Sequence, residues 1–222
     1  MEPGTRVARK QIDQQRRAEI GRERRTRTRA RIVAAAFDVF GDEVGLHARI
    51  EDVAERAGLT RATVYNHFNG MAELRDALTI EVTHAFLEAV TNAISRMPDA
   101  RDRSAFAVRF YLHRARDDRR WAWSMINLSA TGLIFGAETF RQAGQTVREG
   151  MEEGVFPLPS VALGRDLLLG TTLAAMGSIV RGETPADYPE TVAAAILFGL
   201  GVPVEEARER AGQALPSLSN ID

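Results

Sequence analysis

Residues 50–68 read IEDVAERAGLTRATVYNHF, and this stretch decides the fold. Its first part, about Ile50–Ala57, has the apolar spacing of a short amphipathic helix. Gly58 then stands where a helix ends and a left-handed backbone is favoured. Thr60 is a good N-cap for a second short helix, about Arg61–His67. Two short helices joined by a tight turn that contains glycine predict a helix-turn-helix.

The second of these helices carries side chains that are suited to reading DNA. A short helix of this kind enters a major groove with the residues near its start facing the duplex. Arg61 is able to read guanine and Asn66 is able to read adenine, while Val64 and Phe68 are predicted to point inward. A plain helical hairpin in a protein core has the same spacing, so the spacing alone leaves both interpretations open.

The rest of the chain has helical rather than strand periodicity. Alternating runs of β-branched residues do not occur, while apolar residues recur every three or four positions. A helix is predicted at about Thr26–Asp42, before the helix-turn-helix, and a long one at about Met71–Arg96, after it. Further helices are predicted near residues 102–115, 118–131, 134–153, 160–181, 187–200 and 204–212. The predicted fold class is therefore all-α.

Composition and motifs argue against several classes of protein. The chain of 222 residues contains no cysteine, which rules out disulfides, thiolate metal sites and cysteine nucleophiles. The four histidines lack metal-ligand spacing, and no phosphate-binding, Rossmann or serine-hydrolase motif is present. Leu167–Val180 is too short and too polar for a membrane span, and no signal peptide is visible. We therefore expect a cytoplasmic protein that is not an enzyme, with no catalytic residue, cofactor, metal or membrane partner.

Three stretches between Thr26 and Leu78 form a distinctive pattern: IVAAAF at 32–37, EDVAERAGLT at 51–60 and RATVYNHF at 61–68. With them, this segment resembles the DNA-binding domain of TetR-family transcriptional regulators. The resemblance implies a homodimer that binds an approximately palindromic double-stranded DNA operator, usually as a repressor released by a small apolar molecule. A dimeric DNA-binding protein of the same fold without a ligand response is the alternative.

The resemblance also assigns DNA contacts by position. The N-cap residue of the recognition helix is expected to touch phosphate, and the residues along that helix are expected to contact bases or phosphates. The loop before Ile50 departs from the common pattern, because it is one residue shorter and lacks the usual threonine. Arg49 stands there instead, either as a charge-assisted phosphate contact or as a merely exposed arginine. The predicted DNA-contacting residues are Arg27, Arg49, Thr60, Arg61, Thr63, Tyr65, Asn66 and His67.

The middle helices combine aromatic residues and methionine with few polar groups. Such an interior suits an apolar ligand pocket, although side chains that simply fill a core give the same pattern. The predicted pocket residues are Phe106, Phe110, His113, Trp121, Met125 and Asn127.

Two nearly all-apolar helices, Leu167–Val180 and Val192–Val202, follow each other near the end of the chain. A helix that is apolar all round must be buried on all sides. The core of a monomer would satisfy this requirement, and so would a four-helix interface between two subunits, as the family resemblance implies. The predicted interface residues are Leu167, Leu173, Met176, Val180, Ile196 and Leu197.

Charge is divided unevenly along the chain. Residues 1–31 carry a net charge of +7, whereas the whole chain carries −1. A basic segment on an acidic body points to a polyanionic partner, although a solvated leader has the same composition. We therefore predict a basic flexible arm at residues 1–24, a helix-turn-helix domain at 25–70, and a larger helical ligand-binding and dimerisation domain at 71–222.

Overall fold

The structure is a computed structural model that describes residues 3–130 and 134–218, with side chains from residue 15 onward. This part of the chain is helical and contains no strand, which confirms the all-α prediction. Its α-helices, in chain order, are α1 Pro3–Phe40, α2 Ile50–Ala57, α3 Arg61–Tyr65, α4 Met71–Ile94, α5 Ala100–Asp117, α6 Arg119–Ser129, α7 Gly136–Glu152, α8 Val161–Arg181, α9 Tyr188–Gly199 and α10 Val204–Ala211. A short 3-10 turn at Gly45–His47 precedes α2.

The first helix starts earlier than the sequence predicted. It begins at Pro3 rather than near Thr26, so the segment expected to be a flexible arm is the amino-terminal continuation of α1. The physical reason is composition, because this segment is rich in arginine, glutamine, glutamate and alanine, which are strong helix formers. Three of its basic residues, Arg6, Arg9 and Lys10, have side chains outside the described residues. The proposed domain boundaries at residues 24 and 70 stay predictions.

Two hydrophobic clusters form the core, and α4 takes part in both. Leu74 and Leu78, near its start, are buried among residues of α1, α2 and α3. Phe86 and Val90, farther along α4, are buried among residues of the later helices. The helix-turn-helix and the larger carboxy-terminal region are therefore joined through one continuous helix.

The side chain of Asn127 on α6 links the two regions through hydrogen bonds. Its side-chain Nδ2 donates hydrogen bonds to the carbonyl oxygens of Phe40 (2.9 Å) and Asp42 (2.8 Å), at the end of α1. These carbonyls are near a helix end and lack partners within the helix. The buried amide thus satisfies the carbonyl of Phe40 and gives a second donor to that of Asp42, which also accepts from the Gly45 N–H (3.0 Å).

The carboxy-terminal region is organised around α5 and α8. α5 packs against α7, α8 and α9, and α8 packs against α5, α6, α7 and α9. Within the described chain α8 alone has the length and hydropathy of a membrane span, but half of that apolar window is buried inside the protein. Burial of this kind is what a core helix requires, since an apolar helix must be covered on most sides.

Candidate DNA-binding surface and ligand cavity

The turn between α2 and α3 has the backbone geometry of a helix-turn-helix. Gly58 has φ +62°, in the left-handed region, and closes α2. The hydroxyl of Thr60 accepts a hydrogen bond from the Thr63 N–H (3.2 Å) and thereby caps α3. Val64 and Phe68 are 0% and 1% exposed, as expected for inward anchors. The structure therefore contains the helix-turn-helix that the sequence predicted.

The recognition helix is shorter than predicted, since α3 ends at Tyr65 rather than at His67. The His67 N–H donates to the carbonyl of Val64 (2.9 Å), which closes the helix in a tighter final turn. Asn66 and His67 consequently lie just past the helix.

The predicted DNA-contacting residues differ in their exposure. Arg27, Arg49, Thr60, Arg61, Tyr65 and Asn66 are exposed, whereas Thr63 and His67 are half-buried. Arg61 already has a partner, because its Nε lies 2.9 Å from Oε1 of Glu51 on α2. Contact with DNA would therefore exchange an exposed ion pair, which is worth little, for a base or phosphate contact.

His67 has a different character from the other predicted contacts. Burial lowers the pKa of its imidazole, and the nearby cations Arg25 and Arg29 lower it further. The neutral form of the ring is therefore favoured at pH 7 in the protein without DNA.

Arginines of α1 reach the segment that follows the recognition helix, a feature that the sequence reasoning missed. Nη2 of Arg25 donates to the carbonyl of Asn66 (3.3 Å), and the guanidinium of Arg29 lies 4.3 Å from the ring centroid of Phe68. Their i, i+4 spacing was the available signal, because it places both on one face of α1. These contacts thus place two cationic side chains of the first helix beside the predicted DNA-contacting residues Asn66 and His67.

A cavity of about 270 Å³ lies between α4, α5, α7 and α8. Its interior is mainly apolar, with Leu87, Val90, Ile94, Ala107, Val108, Phe135, Ala143, Leu168 and Leu169 in the walls. Hydroxyl and amide groups are contributed by Thr91, Ser95, Ser104, Tyr111, Thr139, Gln142, Gln145, Thr146 and Thr172, and the charged side chains of Arg103 and Glu149 complete the lining. A concave site whose surface is mainly apolar, with polar groups between the apolar side chains, is typical of a small-molecule pocket.

Two polar contacts organise the walls of this cavity. The hydroxyls of Tyr111 and Thr139 are 3.3 Å apart and share a hydrogen bond across α5 and α7. Burial raises the pKa of Tyr111 to about 12, so its hydroxyl stays protonated at neutral pH. Arg103 and Glu149 form an ion pair with a 2.6 Å contact between Nη2 and Oε2.

The pocket residues that the sequence predicted do not line this cavity. Phe106, Phe110 and Met125 are buried in the hydrophobic core instead. His113 contacts Glu190 (3.0 Å), and Asn127 binds the carbonyls at the end of α1. The aromatic residues of the middle helices do form a large core. Aromatic content alone, however, does not reveal between which helices a cavity is left.

Trp121 lies behind the cavity rather than in its wall. Its ring stands 5.9 Å from that of Tyr111, a lining residue, and 5.0 Å from that of Phe86. Its indole N–H donates to the carbonyl of Val82 on α4 (3.3 Å). Trp121 is therefore in contact with a cavity residue and with the helix that joins the two regions.

The predicted dimer residues also need correction. Met176, Val180, Ile196 and Leu197 are buried within the protomer itself, and Leu167 and Leu173 are half-buried. The side chains on α8 and α9 that remain available to a partner include Leu163 and Phe198, which is 62% exposed. Ala174 and Ala195 are exposed on the same two helices. That α8 and α9 form the interface stays a prediction, but the residues chosen on them face mostly inward.

Metal chemistry finds no support among residues 15–130 and 134–218. No group of three or more histidine, aspartate or glutamate side chains there could hold a metal ion.

Comparison with known protein families gives a consistent result over both regions. Residues 32–78 match the model of bacterial regulatory proteins of the tetR family. Residues 99–213, about half of the chain, match the model of the tetracyclin repressor-like carboxy-terminal domain.

Among curated proteins, the chain is similar to transcriptional regulators. It is 40% identical over 57 residues to the HTH-type transcriptional regulator SrpR of Pseudomonas putida, a match that covers 26% of this chain and 27% of SrpR. It is also 40% identical over 68 residues to the HTH-type transcriptional regulator TtgR of Pseudomonas putida, covering 30% of this chain and 32% of TtgR. The matches span about a quarter to a third of these relatives.

Solved structures share the fold over most of the chain. The complex of RolR with resorcinol is 22% identical with a TM-score of 0.66, covering 89% of this chain and 99% of RolR. The fatty acid degradation regulator FadR from Bacillus halodurans is 20% identical with a TM-score of 0.58, covering 78% of this chain and 93% of FadR. Together with the two family models, these findings show that the chain belongs to the TetR family of bacterial transcriptional regulators, which are not enzymes.

Proposed function

We propose that this chain is a homodimeric, cytoplasmic repressor that binds an approximately palindromic operator and releases it when a small molecule enters the cavity. The observation that carries the proposal is the double role of α4. Leu74 and Leu78 of this helix are packed into the helix-turn-helix cluster, while Leu87 and Val90 line the cavity. TetR-family regulators bind DNA operators, typically as dimers with small-molecule ligands, and the RolR structure holds resorcinol. The cavity favours this function over that of a DNA-binding protein without a ligand response.

The release mechanism follows from the position of α4. A ligand that presses α4 away from α7 and α8 moves the end of the helix that carries the recognition unit. In a dimer this changes the distance between two recognition helices that must fit half-sites about 34–36 Å apart, or a multiple of that distance. A coupling of about 1–3 kcal/mol would lower operator affinity roughly 5- to 150-fold, and operator would weaken ligand binding by the same factor.

For dimer formation we propose the exposed faces of α8 and α9. Leu163, Ala174, Ala195 and Phe198 provide apolar and small side chains at the surface there. The variant Phe198→Glu should shift the protein to monomers in analytical ultracentrifugation, because the charge would be buried without a partner. The control Ile80→Glu changes an exposed apolar residue on α4, 67% exposed, and should leave the dimer intact.

The operator can be identified by selection from random DNA duplexes. Duplexes retained by the purified protein should share an inverted repeat, with half-site centres one helical turn or a multiple of a turn apart. Fluorescence anisotropy then measures operator affinity with and without added compounds. Selected sequences with no two-fold relation would contradict the dimeric operator. Failure of every compound that binds the cavity to weaken operator binding would contradict the release mechanism.

Trp121 provides an optical signal for the same experiment. The chain contains two tryptophans, and Trp123 lies beside Arg119 and Arg120, away from the cavity. A Trp123→Phe variant therefore leaves one reporter that contacts Tyr111 in the cavity wall. Binding of a ligand in the cavity should change the fluorescence of this variant, whereas Trp121→Phe should remove the response.

A further inference from the structure

Ser104 places a buried hydroxyl group without a partner in the wall of the cavity. The residue is 1% exposed, and its Oγ has no hydrogen-bond partner within the described part of the chain. Buried polar groups are almost always hydrogen-bonded, and an unsatisfied one costs about 1–3 kcal/mol. Ser104 therefore offers a donor and acceptor lone pairs that the protein itself does not use.

Other hydroxyls in the cavity wall show that this is not the general pattern. Thr172 donates to the carbonyl of Leu168 (2.6 Å), and Thr146 donates to the carbonyl of Gln142 (3.2 Å). Ser95, near the end of α4, donates to the carbonyl of Asn92 (3.4 Å). These hydroxyls donate hydrogen bonds to backbone carbonyls of their own segment, as serine and threonine commonly do.

A second polar group stands two helical turns farther along α5. Ser104 and Tyr111 are seven residues apart, so they share one face of the helix and lie about 10 Å apart along its axis. The Tyr111 and Thr139 hydroxyls are hydrogen-bonded to each other, and either atom can be the donor. One of their two hydrogens consequently remains free to bind an acceptor. The apolar residues Ala107 and Val108 line the space between the two polar groups.

The charged residues of the lining leave no free charge for an ionised ligand. Arg103 and Glu149 are its charged side chains, and they are paired with each other. Nη1 of Arg103 also donates to the carbonyls of Met97 (2.8 Å) and Pro98 (2.9 Å), while Glu149 accepts from Gln145 (2.9 Å). An anion or a cation in the cavity would be desolvated without a counter-charge, which is costly.

The volume limits the size of the ligand. A dry apolar cavity of about 150 Å³ takes benzene, so the 270 Å³ found here suits a molecule of roughly ten to fifteen non-hydrogen atoms. Phe135 and Leu168 are among the apolar residues that would contact its hydrocarbon part.

We infer that the cavity binds an uncharged, compact, mainly apolar molecule that carries a hydroxyl group, and that Ser104 recognises this hydroxyl. The inference rests on the proposed ligand response and adds the chemical class of the ligand. A hydroxyl satisfies Ser104 as donor or acceptor, whereas a hydrocarbon leaves it unpaired and a carboxylate brings a charge that the lining does not neutralise.

Three probes that differ in one substituent test this inference: 2-naphthol, 2-methylnaphthalene and 2-naphthoate. Binding to the DNA-free full-length protein is measured by calorimetry or by the shift in thermal unfolding midpoint. We expect 2-naphthol to bind about tenfold or more tightly than either of the others, as one hydrogen bond and one uncompensated charge would cause. In Ser104→Ala this preference over 2-methylnaphthalene should fall about tenfold, with 2-methylnaphthalene itself bound as well as before.

The control variant is Ser124→Ala, which removes a buried hydroxyl on α6, outside the lining, that already donates to the carbonyl of Trp121 (2.7 Å). It should leave the affinity for 2-naphthol unchanged. No binding of 2-naphthol, tighter binding of 2-naphthoate, or an unchanged preference in Ser104→Ala would each overturn the inference. Operator release is measured separately: if 2-naphthol binds as expected without weakening operator binding, the ligand class stands and the proposed release mechanism fails.

Discussion

The helix-turn-helix and the cavity are built in opposite ways. The recognition unit is made by a continuous stretch of chain, in which Gly58 closes one helix and Thr60 caps the next. The cavity is made by side chains from four helices that are far apart in sequence, between Leu87 on α4 and Thr172 on α8. Short-range rules of turns and caps therefore decide the first region, and long-range packing decides the second.

This difference explains where positional prediction succeeded. The inward anchors Val64 and Phe68 were identified correctly because a five-residue helix with a capped start leaves few choices for orientation. In the carboxy-terminal region almost every helix is partly buried, so an apolar residue can face the core, the cavity or a partner with the same sequence pattern. The following predictions test whether the two regions are separable in function and where they are coupled.

The largest expected effect comes from a substitution that fills the cavity, which should abolish ligand binding without affecting the helix-turn-helix. Leu168→Trp adds a large ring where a lining residue is buried, and the packed walls cannot yield enough to accommodate both ring and ligand. We expect 2-naphthol affinity to fall at least about 100-fold, or about 2.7 kcal/mol, in calorimetry. Operator affinity without ligand should not change. The control Ile80→Trp alters an exposed residue of α4 that lies outside the lining and should affect neither measurement.

The second prediction concerns the coupling between the regions. Asn127→Ala removes the donor to the carbonyls of Phe40 and Asp42 and leaves them without this partner. The free energy of unfolding should fall by about 2 kcal/mol in urea titration. Asn92→Ala is a control on the exposed surface of α4 and should change stability by less than about 0.5 kcal/mol. Equal stability of the two variants would show that the hydrogen bonds from Asn127 to the end of α1 do not stabilise the protein.

The third prediction tests the recognition helix alone. Arg61→Ala should weaken operator binding by about 1–2 kcal/mol and relax the preference at one position of each half-site. This loss of binding free energy is in the lower part of the range usual for a base contact, because Arg61 is paired with Glu51 in the free protein. Anisotropy with single-base operator variants measures both quantities. Arg119→Ala, at an exposed site on α6, should leave them unchanged, and an unaltered base preference in Arg61→Ala would contradict the assignment.

The fourth prediction places an acid-sensitive contact in the carboxy-terminal region. Hydrogen bonds from the Arg101 guanidinium, followed by its backbone N–H and the charge of Arg210, hold the pKa of Asp99 below its ordinary value despite partial burial. Because the folded state favours the ionised form, the stabilisation is complete above the unfolded-state pKa of about 3.9 and is lost as pH falls through the lowered folded-state pKa.

Asp99→Asn keeps a residue able to cap α5 and removes the charge. At pH 7 this variant should be about 1 kcal/mol less stable than the natural protein. The difference should shrink as urea titrations are repeated at pH values from 5 down to about 3. A difference that is independent of pH would show that the charge of Asp99 does not contribute.

The smallest effect concerns the basic extension of α1, which we propose to contact phosphates that flank each half-site. Arg16, Arg17, Arg22 and Arg24 are exposed and form no ion pair with a described acidic residue. Removal of residues 1–24 should flatten the dependence of log K on log salt by about 0.9 for each lost phosphate contact. Base preference should not change. Shortening the flanks of the operator duplex should reduce the difference between the two proteins, and an identical salt slope would contradict the contact.

The sequence by itself determined the all-α class, the helix-turn-helix with its N-cap, and the approximate position of each later helix. These features depend on the backbone preferences of neighbouring residues and on apolar spacing, so they are encoded within a few turns of chain. The sequence also showed that α8 and α9 are largely buried.

Only the tertiary structure decided which side of each helix does what. Leu197 is buried in the protomer while Phe198 beside it faces outward, and Ser104 faces a cavity while Phe106, two residues later, lies in the core. The contact of Arg25 with Asn66 likewise depends on how α1 lies against the segment that follows α3. The physical reason is that a helical residue rotates about 100° from its neighbour, so its surroundings depend on the packing angles of several helices at once.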